Sequence, residues 1–481
     1  MSMLSYFSFP ALAIFSIIVA LIVYLWPRVL DVALGYKYPP GPNGVPIFGN
    51  LFQLPPEYAG TKMIALAKQY GDIRWVYVNS LDTARELFDK RGKIYIGRPE
   101  FPITQDILSG GGRIVLMNNT PQWRDLRKIM HSLLMASNAK AYEPFQDTES
   151  KALVWQLLHE PSDFHKHAAR FANSADSNSV FGRRTSMGEP NVRALFGTID
   201  DFMSMVTSPL TSLPEQFPWL VRWLPGNLQW FRPKAERVFD KTMHVYASFM
   251  EDLDKRVAAG EDPQCFARDM FKLADRYQLD QVRKYFYAGS MIEAGSDTTR
   301  NQINLMLAAA AIYPAWVRTA QAELHSVCGA AERLPTFEDW DRLPYIVATI
   351  KETLRWRPNM TTTGTPRRLV DDDTFRGYKF EKGTIFPFNN AAISHNENDF
   401  KRNGEFLPER FLNIDLQDML KGHAGFGFGR RACPGWYVGT RNMFIAFARI
   451  LYCFDIKERP GHKIDPLRID AFAHEHAPFD I

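Results

Sequence analysis

The sequence predicts one large, mainly α-helical domain, and three observations point there. First, 46% of the 481 residues are hydrophobic and 13% aromatic, enough to fill a sizeable core. Second, beyond a short proline-rich stretch near the start, no Gly-, Ser- or Pro-rich linker divides the chain, and it shows no repeat or low-complexity tract. Third, helical patterns recur. The longest runs from about Gln278 to Tyr313 and is stopped by Pro314. Others run from Tyr345 to Trp356, begin at Trp123 and at Leu81, and follow Cys433. Arg74 to Val78 reads as a single strand.

Charge and cysteine usage exclude some classes. The 57 basic and 53 acidic residues leave a net charge of +4. That balance is too even for a nucleic-acid binder, and no basic stripe is interleaved with aromatics. The four cysteines, Cys265, Cys328, Cys433 and Cys453, form no Cys-x-x-Cys pair and no zinc spacing. They fit reduced thiols in a cytosolic compartment. Cys453 lies in the apolar run Ile450-Leu451-Tyr452-Cys453-Phe454 and is expected in the core.

The first 27 residues carry no charged side chain, and Phe7 to Trp26 is dense in Ile, Leu, Val, Ala and Phe. About twenty such residues suffice to cross a bilayer as a helix. Tyr24 and Trp26 suit an interface, and Arg28 and Lys37 supply a positive cytoplasmic flank. A cleaved secretory signal would need a basic start and a small-residue cleavage site; neither is present. Tyr38-Pro39-Pro40-Gly41-Pro42 then forms a stiff spacer. The expected division is an anchor over residues 1–27, a proline-rich hinge over 28–46 and a catalytic domain over 47–481.

The chemistry centres on Phe426-Gly427-Phe428-Gly429-Arg430-Arg431-Ala432-Cys433-Pro434-Gly435. The glycines let a flat ligand approach the backbone. Loop amides and the next helix N-terminus are expected to hold Cys433 as a thiolate. A thiolate facing a flat pocket beside a cation suits a haem iron and its propionates. A lone cysteine is more ordinarily an inert, buried residue. Here, however, the ten residues fit F-x-x-G-x-R-x-C-x-G at all five fixed positions, Phe426, Gly429, Arg431, Cys433 and Gly435. In this the chain resembles the cytochrome P450 family.

The resemblance implies a mainly α fold with smaller β-sheets in a triangular outline. It places b-type haem (heme b) between the 294–299 helix and the Cys433 loop, with Cys433 as the axial iron ligand. Mid-helix stands Ala294-Gly295-Ser296-Asp297-Thr298-Thr299. Glycine costs about 1 kcal/mol inside a helix and β-branched Thr is also a weak former, which suggests a local widening. The plainer alternative is a Thr hydroxyl bonded back to a carbonyl one turn earlier. The string is similar to the family's oxygen-binding motif. By that resemblance Ala294 and Gly295 line the haem face, Thr298 assists O–O cleavage and Asp297 relays protons.

Glu352 and Arg355 share a helix face, and such a pair is common on surfaces. Together with Pro408-Glu409-Arg410-Phe411, which resembles the family's P-E-R-F element, it implies a buried Glu352–Arg355–Arg410 cluster that fixes the cysteine loop. Trp123 and Arg127, one turn apart, resemble the family's W-x-x-x-R motif, and Arg431 belongs to the cysteine loop. All three are expected to serve the propionates, which need cationic or N–H partners. Thr365-Pro366-Arg367-Arg368 resembles a strand with a propionate-binding residue. Arg367 follows the proline directly, and Arg368 is the other choice.

Residues 100–119, 208–233 and 359–364, with Phe472, read as pocket walls or an entrance. The 208–233 segment is rich in Pro and aromatics and reads equally as core or as a membrane-dipping surface. Two features depart from the family's pattern. A strand and turn are lacking after Ile73, and members usually continue beyond Ile481. Both bear on stability and activity more than on membership.

The expected function is a membrane-anchored haem-thiolate monooxygenase. It would insert one atom of dioxygen into a lipophilic small molecule, in secondary metabolism or xenobiotic conversion. Electrons would come from NADPH through NADPH–cytochrome P450 reductase, contacted by residues such as Lys128 and Arg430. The single-pass anchor would sit in the endoplasmic reticulum membrane, with the catalytic domain cytosolic. Two alternatives are a haem-thiolate isomerase or dehydratase working without reductase, and a haem-binding protein impaired in turnover.

Overall fold

Prolines and capping side chains set where the helices start. In the computed structural model, residues 76–276, 279–359, 365–469 and 477–481 are described. They include eleven helices of eight or more residues. These are α1 (Pro121–Leu134), α2 (Glu143–His159), α3 (Phe164–Phe181), α4 (Pro190–Thr207), α5 (Pro209–Gln216) and α6 (Arg232–Ala258). They continue as α7 (Phe266–Arg276), α8 (Gln281–Ile312), α9 (Pro314–Cys328), α10 (Pro344–Trp356) and α11 (Trp436–Cys453). Pro121, Pro314 and Pro344 occupy first-turn positions, where the missing N–H costs nothing. Thr120 caps α1 by accepting the Trp123 N–H at 3.1 Å. Asp280 caps α8 by accepting the Arg283 N–H at 2.8 Å, so the long helix starts at Gln281 rather than Gln278.

The helix α8 runs through the middle of the molecule, buried at every position from Thr299 to Ala311. Its Leu305, Met306 and Ala309 share a core with Trp316 of α9, Ile346 and Ile350 of α10, and Phe444 and Phe447 of α11. Its Tyr287 and Ile292 belong to a second core with Met130 of α1, Phe249 of α6 and Phe266 of α7. The 294–299 turn lies where these two cores meet and is fixed from both sides. Against it lies α3, nearly all buried and unusually polar, which ends at Gly182 with φ +64°.

The β-structure is small. Strands β1 (Arg367–Arg368) and β4 (Ile385–Phe386) pair antiparallel, with Arg367 opposite Phe386. Strands β2 (Asp373–Phe375) and β3 (Tyr378–Phe380) form a hairpin turned by Arg376 and Gly377, both at positive φ. Val78 makes a single bridge to Phe388. Of the expected 74–78 strand, Arg74 and Trp75 lie outside the described residues.

The expected anchor, the hinge, the point of departure after Ile73, residues 360–364 and Phe472 also lie outside the described residues. Among the described residues no helix is long and apolar enough to cross a membrane. The 208–233 segment folds into α5 and a short helix, Pro218–Trp223, instead of joining the core as a whole. Val221 and Phe231 are buried, while Trp219, Trp223 and Trp230 are 55%, 81% and 53% exposed. Cys453 corrects an expectation: it ends α11 on the exposed side, because the helix turns its last residue out of the core.

Candidate active site

The cysteine loop is held by its own backbone. The Cys433 N–H donates to the Phe426 carbonyl at 2.8 Å, and the Ala432 N–H to the Gly429 carbonyl at 3.0 Å. Gly429 has φ +51°, and a Cβ there would stand 1.9 Å from the Phe88 carbonyl oxygen, so only glycine fits. Phe426 packs against the core from a half-buried position. Gly435 is the capping residue of α11. Cys433 itself is half-buried and free of any disulfide.

Burial pushes the Cys433 thiol up, against the downward pull of the Gly435 N–H and the Arg127 charge. A thiol in this setting gives up its proton to a coordinating metal.

Four arginines from four segments surround the loop. Arg127 on α1 donates through Nη2 to the Ala432 carbonyl. Arg431 donates to the carbonyls of Ile96 at 2.9 Å and Met117 at 2.8 Å, and its guanidinium lies 3.8 Å over the Trp123 ring. Arg367, 1% exposed, donates through Nη2 to the Phe428 carbonyl at 2.7 Å. Arg98, 3% exposed, donates to the carbonyls of Thr365 at 2.6 Å, Pro366 at 2.7 Å and Val115 at 3.0 Å.

No carboxylate among the described residues hydrogen-bonds or ion-pairs with any of the four. Burial pushes Arg367 down to about 9, helped by Arg127 and opposed by Asp89. Burial and then the Arg367 and Arg127 charges push Arg431 down to about 9. Arg98 is also pushed well down, by burial and then by the charges of the other three. Moreover Arg367 Nε and Nη1 and Arg431 Nη2 are buried with no hydrogen-bond partner. Buried like charges with open N–H groups require an anion. The two carboxylates of a haem fit that requirement, and the Cys433 thiol, close to Arg127, suits its iron.

Arg98 was not foreseen. Its flanking Gly97 and Pro99 hint at a fixed backbone, but a single arginine in a loop reads as surface. Strand alternation separates Arg367 from Arg368. Arg367 points inward, while Arg368 is 38% exposed and approaches Glu100 at 3.7 Å.

On α8, Ala294 and Thr298 are the exposed positions of their turn, one above the other on a single side. The Thr298 hydroxyl donates to the Ala294 carbonyl at 2.6 Å. Asp297 pairs with the buried Arg300 at 2.6 Å. Two expectations need correction. The helix runs as regular α-helix across 294–299, without widening. Gly295 does not share the Ala294–Thr298 side: a Cβ there would lie 2.0 Å from Oδ2 of Asp176 on α3. The glycine is required by helix packing, and the packing keeps the helix regular.

The Glu352–Arg355–Arg410 group is fully connected. Arg355 grips Glu352 through two bonds of 2.7 Å, with both residues 0% exposed. Its remaining donors reach the carbonyls of Ser394, Asn403 and Glu405 at 2.8 to 3.0 Å. Arg410 approaches Glu352 at 3.4 Å, and the Leu407 N–H bonds the same oxygen at 2.8 Å. A buried charge cluster is tolerated when every member is satisfied, and here it ties α10 to the segment leading to the cysteine loop.

Comparison with known proteins agrees with this geometry. The family model described as Cytochrome P450 matches residues 39–479. The chain is 32% identical over 467 residues to Cytochrome P450 monooxygenase fogE of Aspergillus ruber, covering 94% of this chain and 85% of that one. It is 31% identical over 472 residues to Cytochrome P450 monooxygenase virE of Hypocrea virens, covering 93% and 84%. With Cytochrome P450 monooxygenase verL of Clonostachys rogersoniana it shares 32% over 487 residues, covering 95% and 88%. A cysteine in a glycine-locked loop, an uncompensated arginine cradle and a match along nearly the whole chain lead to one identification: the chain belongs to the cytochrome P450 family and is a monooxygenase with a haem-thiolate cofactor.

Proposed function

We propose that Cys433 would ligate the haem iron, and that Arg98, Arg127, Arg367 and Arg431 would hold the propionates. The observation that carries this is the set of buried guanidinium N–H groups without partners around the thiol. Trp123 supports Arg431 through its ring face. When bound, haem would supply dioxygen activation, with one oxygen atom going to a C–H bond of the substrate and the other leaving as water at the cost of two reductase-supplied electrons and two protons. Ala294 walls the oxygen side with a small side chain. The Thr298 hydroxyl holds a proton there by its bond to the Ala294 carbonyl. Asp297, steadied by Arg300, passes protons inward from water.

The substrate in this reading is a lipophilic small molecule, in line with the apolar surface of the 208–233 segment and with fungal relatives named as monooxygenases. Secondary metabolism is the proposed setting. NADPH–cytochrome P450 reductase is the proposed electron donor, with the exposed Lys128 and Arg430 among its contacts. The 1–27 segment anchors the chain in the endoplasmic reticulum membrane, residues 28–46 form the hinge and residues 47–481 the cytosolic catalytic domain. Exposed Trp219, Trp223 and Trp230 provide a second contact with the lipid interface.

The test is spectroscopic and then enzymatic. Wild-type protein should give the thiolate-type Soret band of the reduced carbon monoxide complex, and Cys433→Ala should lose it. An unchanged band in Cys433→Ala would refute the ligand assignment. Thr298→Ala should keep the band but divert reductase-supplied electrons into hydrogen peroxide.

A further inference from the structure

One residue before Ala294, the central helix carries a buried ion pair that the haem-side residues do not use. Glu293, 7% exposed, meets Arg113, 8% exposed, at 2.5 Å. Arg113 comes from the loop before α1. Its Nε donates to Ser109 Oγ at 3.3 Å, and its guanidinium lies 3.9 Å over the ring of Phe202 on α4. Tyr246 of α6 lies against both members of the pair. The backbone has made room for this meeting of four elements. A Cβ on Gly289 would fall within 2.4 Å of the Tyr246 ring, and one on Gly112 within 2.9 Å of Phe286.

The pair leaves hydrogen-bonding capacity open. Glu293 Oε1, the Tyr246 hydroxyl and the Ser290 hydroxyl are all buried without a partner of acceptable geometry. Buried polar atoms are normally satisfied; the Tyr246 hydroxyl lies close to both charged groups, yet it, Glu293 Oε1 and Ser290 Oγ each lack a bond of acceptable geometry, a capacity that a ligand group can fill. Ser290 stands one turn before Ala294 on the same side of α8, which connects the cluster to the proposed oxygen side.

The open set is one carboxylate acceptor and two hydroxyls beside a guanidinium. A carboxylate ligand would be repelled by Glu293, and an ammonium by Arg113. A neutral hydroxyl meets neither penalty. It donates to Glu293 Oε1 and accepts from Tyr246 or Ser290. We infer that the Arg113–Glu293 pair, with Ser290 and Tyr246, is the polar recognition point for the hydroxyl group of a phenol- or alcohol-bearing lipophilic substrate. The inference rests on the reading of the Ala294–Thr298 side as the substrate side of the haem. Arg113 acts as a positioning residue, holding the carboxylate where it can accept.

The experiment titrates the holoenzyme with 4-phenylimidazole and its three hydroxyphenyl isomers, following the Soret shift. At least one hydroxylated isomer should bind ~10-fold more tightly than the parent, the worth of about one well-placed hydrogen bond. At least one of Tyr246→Phe and Ser290→Ala, which remove only a hydroxyl, should cut that ratio by ~3-fold or more. Glu293→Gln, with folding verified by its reduced carbon monoxide band, should bring the ratio to about one. Equal affinities for all four azoles in the wild type would overturn the inference and leave the haem reading intact. A ratio unchanged in all three variants would do the same. Absence of any Soret shift would overturn both.

Discussion

Replacing Asp176 by Asn should stabilise the protein, and more so as the pH rises. Asp176 lies on α3, 5% exposed, where its Oδ1 accepts the Asn442 side-chain amide at 3.3 Å. Its Oδ2 faces Gly295 with no partner. Burial pushes its carboxyl up from 3.8 to about 8, and the Asn442 bond only partly opposes that. The folded chain therefore keeps a proton that the unfolded chain releases near pH 4. Between those values folding takes up a proton, so stability falls as pH rises. At 1.36 kcal/mol per unit, the loss reaches roughly 4 kcal/mol at pH 7 and about 6 kcal/mol above pH 8. That is a large share of the 5–15 kcal/mol that ordinarily separates folded from unfolded domains. Asn has the same shape, still accepts from Asn442 and never charges. Urea denaturation of both proteins at pH 5, 6, 7 and 8 measures the gap. Asp176→Asn should gain little at pH 5 and several kcal/mol at pH 8. A gap that stays constant across this range would refute the reasoning.

Other substitutions probe the frame of the site. Gly429→Ala places a Cβ on the Phe88 carbonyl and strains a φ of +51°; it should cost on the order of 3 kcal/mol and sharply reduce haem incorporation, read as the Soret-to-protein absorbance ratio. Glu352→Gln leaves Arg355 buried without its charge partner; it should cost about 3–5 kcal/mol in urea denaturation, and wild-type stability would mean the cluster does not hold the fold. Gly295→Ala should destabilise by ~1–3 kcal/mol because its methyl meets Asp176. Adding Asp176→Gly should return at least ~1 kcal/mol, and strict additivity in the double-mutant cycle would contradict the proposed contact.

Much of the site was legible because its signals lie within a few consecutive residues. The cysteine loop, the Glu352–Arg355 turn and the Trp123–Arg127 turn are local patterns, and helical or loop geometry translates their spacing directly into a shared face. The end of the long helix was likewise legible from Pro314, whereas its start at the Asp280 cap and the start of α1 at the Thr120 cap were not. What the sequence by itself determined was thus the family, the mainly helical fold and the cysteine at its centre.

Tertiary structure decided the rest, because contacts between distant segments leave no trace in local spacing. Arg98 joins Arg127, Arg367 and Arg431 only after four separate segments fold together. Strand alternation sends Arg367 inward and Arg368 outward, a choice made by the β1–β4 pairing. Gly295 suggested a widened helix, whereas its bare Cα serves the packing of Asp176. Desolvation, which depends on everything packed around a group, sets the proton on Asp176. The same holds for Arg113 and Glu293, 180 residues apart, whose pairing appears only once the loop before α1 lies on the central helix.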